Sequence, residues 1–321
     1  MGKSEHRRRL FELYSANLGL FMPQHTGLFA CPICSSLFDA SSVRGESLGV
    51  DLAHAYPETC GGRVVTLTCA ACNSRIGSRY DSHLAIEHHL WDAFGGSGRR
   101  PIDVRVHYPW GNIGATAVFT EGRGYHFTAI KKQTDPKVCE RTVAVLVGHD
   151  GNSELTFKIA APAYNPAHLT TALFHAAYLN LFRHFGYEYI LYCDTEWIRA
   201  LLTAQRPRAD IKICTLEVPR EEGAELAAVA HSVGMLQTTA GLRTLVVALP
   251  HPDPKFVLRI ISLPGFGQEG LAQYRALTER IDHYAQSQFV FLRDDPKGRL
   301  GHRCGMLGRS FWQRAFNPHD G

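Results

Sequence analysis

The chain has 321 residues, of which 45% are hydrophobic and 20% are charged, and its formal net charge is +4. This composition excludes an intrinsically disordered chain, and the length suffices for two domains of ordinary size. No apolar run reaches the roughly 18 residues of a transmembrane helix, and the first residues lack the apolar core of a signal peptide. We therefore expect a cytoplasmic protein with no membrane partner, whose weak positive charge permits nucleic-acid binding without indicating it.

The first predicted element is a short amphipathic helix near the N-terminus. Three arginines at positions 7–9 precede leucines at positions 10, 13 and 18, so the helix has a basic start. Contact with phosphate groups and simple exposure to solvent are equally consistent with this run of charge.

Two C-x2-C pairs follow, Cys31 with Cys34 and Cys69 with Cys72. Each pair can turn two thiolates toward one point, and two such pairs separated by a few tens of residues are typical of a tetrahedral zinc site. Chance pairs of buried thiols and a redox-active pair are the alternatives. Because four protein ligands leave no open coordination position, the predicted zinc is structural. Four scattered cysteines are expected to be reduced thiols: Cys139, Cys193, Cys214 and Cys304. Cys60 is expected to be incidental, since four thiolates already satisfy the zinc.

The segment between and after the two pairs predicts two strands and a helix. Residues 50–56 are expected to form a strand that ends at Pro57, and residues 63–68 a second strand after a Gly-Gly loop. After Cys72, apolar residues recur at helical spacing up to Phe94, and the glycine-rich residues 95–98 end the predicted helix. The predicted order is therefore cysteine pair, strand, loop, strand, cysteine pair and helix.

Several short motifs occur in this region in a defined order. They are C-x2-C, A-H-x-x-P-E-x-x-G-G-R and T-L-T-C-x-x-C-N-x-x-x-G-S-x-x-D, within about residues 28–92. Together they resemble the HNH endonuclease family, and most closely the branch in which a ββα-metal finger carries a four-cysteine zinc. The resemblance implies a zinc-stabilised, treble-clef-like finger. It also implies that His54 is the general base and that Asn73 helps to hold a catalytic divalent ion, Mg²⁺ or Mn²⁺.

The residue types suit this chemistry, with one departure from the family pattern. A neutral histidine can take a proton from water near neutral pH, and a divalent ion can stabilise the charge that develops on a phosphate. Many HNH enzymes carry a metal-binding residue directly before the base, where this chain has Ala53. Asp51 is a candidate ligand only if the strand bulges, because a regular strand places it on the face opposite His54.

Other polar residues near the motifs have two possible roles each. Glu58 is either a loop acid or a further oxygen donor at the site. Asp81 follows Asn73 by a helical rise of roughly 12 Å, too far to share its ion, so Asp81 is either a solvated acid or a contact with the rest of the protein. The candidate nucleic-acid contacts are basic: Arg63, Arg75 and Arg79.

Beyond residue 98 the pattern predicts a larger α+β domain with antiparallel strands and a buried helix, so the chain is predicted to divide into residues 1–98 and 99–321. Predicted strands cover residues 102–108, 115–120, 125–130, 142–147, 154–159, 244–249, 256–261 and 289–292, and predicted helices cover residues 165–185 and 270–287. No motif assigns a role to this domain. Basic and aromatic residues within 296–318 suit either nucleic-acid contact or docking on the core.

The sequence thus predicts a metal-dependent HNH-type endonuclease that hydrolyses phosphodiester bonds, with nucleic acid, and DNA in particular, as its expected partner. The alanine before the expected base leaves open a second class of function. In that class a zinc-containing protein binds nucleic acid without cleaving it. A protein-interaction module is the third class, and it applies if no nucleic acid binds.

Overall fold

A computed structural model describes residues 2–43, 49–95, 100–148, 158–193, 195–204, 215–239, 241–266, 269–279 and 288–291. The chain divides into two compact units. The first unit comprises Met1–Leu84, Pro166–His251 and Lys255–Gly321, and the second comprises Ala85–Asn165 with Pro252–Pro254. This division does not coincide with the predicted boundary between residues 98 and 99, because the chain leaves the first unit at residue 84 and returns to it at residue 166.

The described residues contain both helices and strands throughout the chain. The helices are α1 (Lys3–Phe21), α2 (Ala70–Ile76), α3 (Ser82–Phe94), α4 (Pro136–Val147), α5 (Pro166–Phe185), α6 (Tyr187–Tyr192), α7 (Glu196–Thr203), α8 (Arg220–Gly223) and α9 (Gly270–Glu279). A π-helical turn, Gly77–Asp81, joins α2 to α3, and 3-10 turns occupy Pro23–His25, Ala40–Val43, Glu58–Cys60 and Ala224–Val229.

The strands pair in four sheets, and every pairing among the described residues is antiparallel. They are β1 (Phe29–Ala30), β2 (Leu37–Phe38), β3 (Val50–His54), β4 (Val65–Cys69), β5 (Ile102–Tyr108), β6 (Gly111–Thr120), β7 (Gly124–Thr134), β8 (Lys158–Ala160), β9 (Thr215–Pro219), β10 (Val233–Gln237), β11 (Arg243–Pro250), β12 (Phe256–Leu263) and β13 (Gln288–Phe291). The prediction of a mixed α+β fold with antiparallel strands is confirmed.

The first unit is built around the five-stranded sheet β13-β10-β11-β12-β9 and the helix α5, which contacts β10, β11 and β12. The apolar residues that predicted a buried helix are all buried: Leu169, Leu173, Phe174, Ala177, Leu181, Phe182 and Phe185. On α1, the ring of Tyr14 stacks on Phe182 at 4.6 Å, and the Tyr14 hydroxyl lies 2.7 Å from the Thr66 hydroxyl on β4. The N-terminal helix therefore packs between the buried helix and the β3-β4 hairpin.

The second unit is a four-stranded sheet, β7-β6-β5-β8, with an apolar face. Along β5 the burial alternates strictly, so Ile102, Val104 and Val106 are buried while Asp103 and Arg105 are exposed. The end of α3, at Ala93, packs on this apolar face, and Val138 of α4 lies against it. One layer of helix on one face of the sheet is the common arrangement for an antiparallel sheet whose other face is polar.

One predicted element in the second unit is wrong. Residues 142–147 were expected to form a strand because of their valines, but they form the last part of α4. The start of this helix explains the difference. Asp135 accepts a hydrogen bond from the Lys137 backbone N–H at 2.9 Å, and Pro136 occupies the first helical turn, where its missing N–H has no cost. These helix-start signals outweigh the β propensity of the valines.

The remaining predicted elements agree in type where the structure describes them, with shifted ends. The strand predicted over 154–159 appears as Lys158–Ala160, and the helix predicted over 270–287 is described as Gly270–Glu279. The basic and aromatic residues 296–318 lie outside the described residues. Within the described part of the chain, no helix is both long and apolar enough to cross a bilayer.

Candidate functional site

The two C-x2-C pairs come together in the first unit. The sulfur atoms of Cys31, Cys34, Cys69 and Cys72 all lie within 4.8 Å of one another, and this is the only such group of potential metal ligands among the described residues. Cys34 is exposed and the other three side chains are buried. The sequence prediction that these four cysteines converge is confirmed.

Each pair is held by local backbone geometry. The first lies in the turn between β1 and β2, which is closed by hydrogen bonds from the Cys31 N–H to the Ser36 carbonyl and from the Ser35 N–H to the Cys31 carbonyl, both at 2.9 Å. The second spans the junction of β4 and α2, where the Cys69 sulfur accepts a hydrogen bond from the Cys72 N–H at 3.4 Å. Cys69 thus caps the helix and faces the centre of the cluster.

The distances within the cluster suit a tetrahedral metal ion. Zn–S bonds of about 2.3 Å require sulfur atoms about 3.8 Å apart, and Cys34 Sγ lies 3.7 Å from Cys69 Sγ. The Cys69 N–H donates to Cys31 Sγ at 3.4 Å, and Arg75 Nη2 lies 3.3 Å from Cys72 Sγ. Donors of this kind stabilise thiolate charge. The arrangement is therefore compatible with a structural metal such as zinc, held by four sulfurs with no open position.

The pKa values of the four cysteine thiols are shifted in different directions. Hydrogen bonding to Cys31 lowers the pKa of Cys34 to about 6 and the pKa of Cys69 to about 2. Hydrogen bonds to its three partners raise the pKa of Cys31 above its usual value. The bond with Cys31 lowers the pKa of Cys72, but the bond with Cys69 and burial outweigh it, so that this pKa rises to about 12. The cluster therefore already favours thiolates at some positions, and a divalent ion would take the place of the remaining protons.

The hairpin between the two pairs carries His54 at its exposed end. In the register of β3 and β4, His54 pairs with Val65 and Val50 pairs with Cys69. The strand β3 ends at His54, two residues earlier than predicted. The His54 side chain is 35% exposed, and its Nε2 lies 3.8 Å from Oε2 of Glu58. The imidazole is thus reachable from solvent and has a carboxylate beside it.

A tight loop brings Glu58 to this position. Gly61 has a φ of 85°, in the left-handed region that favours glycine. At Gly62 a Cβ atom would lie 1.9 Å from the Tyr56 carbonyl oxygen, so no larger residue fits this loop. The Gly-Gly pair seen in the sequence therefore has a structural reason, namely the return of the chain close to the end of β3.

Asn73 lies on α2, next to the hairpin. Its Nδ2 donates to the Leu52 carbonyl oxygen at 3.3 Å. Leu52 and His54 are two positions apart on the same strand, a separation of about 7 Å. Because a carbonyl can only accept, this contact assigns the nitrogen of the carboxamide to Leu52 and leaves the Oδ1 atom for other partners.

Asp51 has a partner away from His54. Its Oδ1 accepts from Arg7 Nη2 at 2.9 Å and from the Leu52 backbone N–H at 2.8 Å. The Arg7 side chain is 13% exposed and that of Asp51 is 39% exposed. One of the three N-terminal arginines therefore forms an ion pair between α1 and β3, and the neighbouring Ala53 is buried at 1% exposure.

We expect Asp51→Asn to lower the free energy of unfolding by about 1 to 2 kcal/mol, because the largely buried Arg7 guanidinium would lose its charged acceptor. Thermal or urea unfolding measures the change. Glu12→Gln is the matched control, since the Arg8–Glu12 pair is 3.8 Å apart, exposed at both ends and worth at most roughly 0.5 kcal/mol. An Asp51→Asn change no larger than that of the control would contradict the structural role of this ion pair.

The three arginines suggested as nucleic-acid contacts differ in their surroundings. Arg63 is exposed and makes no side-chain hydrogen bond or ion pair with the described residues. Arg75 is exposed beside the Cys72 sulfur. Arg79 donates to the Ala204 carbonyl oxygen at 3.0 Å and lies over the ring of Tyr80 at 5.8 Å. Arg63 has the most freedom to meet a ligand.

Two side-chain contacts after the second cysteine pair have partners on α5 that the sequence did not indicate. Asp81 Oδ1 lies 3.4 Å from Nδ1 of His175, a buried residue of α5. His83 Nε2 lies 2.8 Å from Nδ1 of His168, also on α5. Of the two roles left open for Asp81, the structure therefore shows the contact with the rest of the protein.

No protein-family profile matches the chain, and no curated protein or solved structure shows significant similarity to it. The structure shows a mixed α+β chain with a four-cysteine cluster at a strand-to-helix junction. A functional assignment therefore depends on the motifs and on the geometry described above.

Proposed function

We propose that the chain is a metal-dependent HNH-type endonuclease that hydrolyses phosphodiester bonds in nucleic acid, with DNA as the expected substrate. One observation carries the proposal. A strand that ends in a partly exposed histidine, His54, is hydrogen-bonded to a helix that offers the Asn73 carboxamide, and a four-cysteine cluster includes the first turn of that helix. In this interpretation β3, β4 and α2 form a ββα-metal finger of the treble-clef type.

His54 would act as the general base. Its imidazole is partly exposed, so a water molecule can reach it. Glu58 is the one carboxylate within 4 Å of this imidazole among the described residues, at 3.8 Å from Nε2. This distance is longer than a hydrogen bond, so Glu58 would act on the imidazole through its charge.

Asn73 would supply the protein oxygen to the catalytic ion. Its Nδ2 is bound to the Leu52 carbonyl, so Oδ1 is the atom left for a cation. Mg²⁺ and Mn²⁺ keep several waters and need few protein ligands, and the ion would supply electrostatic stabilisation of the phosphate and of the leaving oxygen. We leave Asp51 out of this ligand set, because its Oδ1 is already occupied by Arg7 and by a backbone N–H.

The arginines would have unequal roles in binding the substrate. Arg63 is exposed and follows the loop that contains Glu58, so it is the strongest candidate for a phosphate contact. Arg75 and Arg79 already stabilise the cluster and the turn after α2, through the Cys72 sulfur and the Ala204 carbonyl. Phosphate contacts of this kind carry most of the affinity for nucleic acid and weaken with salt.

The proposal is tested by incubating the purified chain with supercoiled plasmid, single-stranded DNA and RNA. We expect nicking or cutting with Mg²⁺ or Mn²⁺ and none with EDTA. If every substrate remains intact with both ions across a range of salt concentrations, the endonuclease proposal is wrong.

Asn73→Ala is expected to lower cleavage at limiting Mg²⁺ by at least roughly 10- to 100-fold, the loss seen when groups that support a metal site are removed. The physical reason is the loss of the Oδ1 donor. Titration of activity with Mg²⁺ and Mn²⁺ measures the effect, and Ser74→Ala, at an exposed position of the same helix, is the matched control. Equal metal requirements in the alanine variant and the wild type would exclude Asn73 as a ligand.

A second function, nucleic-acid binding without cleavage, is favoured by one observation. Ala53, at the position where many HNH enzymes carry a metal ligand, is buried at 1% exposure and offers no donor atom. Salt-sensitive binding of DNA without divalent-dependent cleavage would support this function over the enzyme. Absence of any nucleic-acid binding would instead favour a protein-interaction module.

A further inference from the structure

Two tyrosines far along the chain contact the backbone around Cys31. Tyr178 on α5 donates its hydroxyl to the Pro32 carbonyl oxygen at 2.6 Å, across a separation of 146 residues. Tyr187 on α6 donates to the Ala30 carbonyl oxygen at 2.6 Å and accepts from the Ala30 N–H at 2.9 Å. Both side chains are at most 2% exposed. The backbone on both sides of Cys31 is therefore hydrogen-bonded to side chains of α5 and α6.

These contacts restrain the position of the first cysteine pair, which the turn by itself does not. The hydrogen bonds between β1 and β2 fix the internal shape of the first cysteine pair, but not its position relative to the second pair on β4 and α2. The helix α5 reaches both sides. Tyr178 binds the first pair, and His175 lies 3.4 Å from Asp81, at the end of the turn that follows α2. One buried helix therefore contacts both the turn of the first cysteine pair and the turn that follows the helix of the second pair.

We propose that Tyr178 and Tyr187 are positioning residues of the four-cysteine metal centre, which hold the backbone at Cys31 where its sulfur can complete a tetrahedral site with the other three. The proposal concerns the metal centre alone and goes beyond the endonuclease function, because a metal-binding protein of any function would show it. The two proposals can therefore fail separately.

The chemistry of the phenols fits this role. Burial raises the pKa of both tyrosines above the usual value, so each hydroxyl stays protonated and remains a donor throughout the accessible pH range. Groups that orient metal ligands typically contribute 10- to 100-fold to metal affinity. By linkage, the bound metal would in turn stabilise the docking of α5 and α6 on the first cysteine pair.

Tyr178→Phe and Tyr187→Phe in the full chain test the proposal. Each removes one hydroxyl and keeps the ring. We expect Zn²⁺ affinity, measured by competition with a chromogenic chelator, to fall by roughly 10- to 100-fold in each variant. Tyr189→Phe is the matched control. Tyr189 is also fully buried, and its ring centroid lies 5.9 Å from that of Tyr178, but its hydroxyl has no hydrogen-bond partner among the described residues. Its removal should leave the affinity unchanged.

A second control separates positioning from general stability. Val246→Ala removes buried apolar volume from the face of β11 that packs against α9, and should lower the melting temperature without changing Zn²⁺ affinity well below that temperature. If the tyrosine variants lose no more affinity than Val246→Ala, the tyrosines contribute only general stability and the proposal is overturned. If Tyr178→Phe does not fold, Tyr187→Phe decides the question with the same measurement.

Hydrogen exchange provides an independent readout in the wild-type chain. Removal of Zn²⁺ with a chelator should increase amide exchange in α5 and α6 as well as in the two cysteine turns, since the docking of these helices and the metal site are coupled. Exchange that increases in the cysteine turns alone, with α5 and α6 fully protected, would overturn the proposal.

Discussion

His54→Ala is expected to reduce divalent-dependent cleavage by roughly 10²- to 10⁴-fold, the usual contribution of a general base. The reason is that His54 is the partly exposed histidine at the end of the hairpin, with Glu58 beside its Nε2. Asn73 of α2 is hydrogen-bonded to Leu52 of the same strand as His54. Initial rates on the preferred substrate, at saturating Mg²⁺ or Mn²⁺, measure the loss. Binding of nucleic acid should persist, because the phosphate contacts remain.

The matched control is His126→Ala, which removes an exposed histidine on β7 of the second unit. Its activity should equal that of the wild type. If His54→Ala cleaves as fast as the wild type, His54 is not the base, and the site would have to be sought elsewhere. Loss of binding together with cleavage would point to a folding defect, which circular dichroism of the variant detects.

Cys69→Ser is expected to remove the metal and to lower the melting temperature of the first unit sharply, without abolishing its fold. Structural Zn²⁺ sites contribute roughly 10 to 16 kcal/mol of apparent binding free energy, which is comparable to the roughly 5 to 15 kcal/mol net stability of a whole domain. The Cys69 sulfur links the cluster to the helix, since it approaches Cys34 at 3.7 Å and also caps α2. Elemental analysis for one Zn²⁺ per chain and thermal unfolding by circular dichroism measure the result.

Cys60→Ser is the control for this prediction. Cys60 is half-buried in the 3-10 turn after β3 and lies outside the cluster. Its replacement should leave the metal content at one ion per chain and should shift the melting temperature little. A Cys69→Ser chain that keeps its metal and its melting temperature would show that the cluster is not a structural metal site.

Local sequence signals were enough for the elements that form the site. The two C-x2-C pairs predicted the cluster because short spacing alone directs two sulfurs to one point. The β-branched run before Cys69 predicted β4, and the Gly61-Gly62 pair predicted the loop. The apolar circumference of the helix that begins at Pro166 predicted its burial, since a helix without a polar face has no stable exposed orientation.

Signals that compete within one segment were less reliable. The valines of residues 142–147 favour a strand, yet Asp135 and Pro136 begin a helix that continues through them. Three apolar side chains of that helix remain largely exposed, at Val143, Leu146 and Val147. The pattern of β-branched residues therefore predicted the wrong element, because β propensity is weaker than the helix start formed by Asp135 and Pro136.

The sequence by itself indicated the four cysteines that converge in the structure, and it suggested His54 and Asn73 as residues of a candidate site. Their identity and short-range spacing contain that information. Only the tertiary structure decided the partners of the other polar groups. Asp51 pairs with Arg7 across 44 residues, and Tyr178 contacts the first cysteine pair across 146 residues. Contacts between residues so far apart in the sequence depend on which apolar faces pack together, and no local pattern encodes that choice. The fold thereby makes α5 part of the surroundings of the four-cysteine cluster, although its sequence indicated only a buried helix.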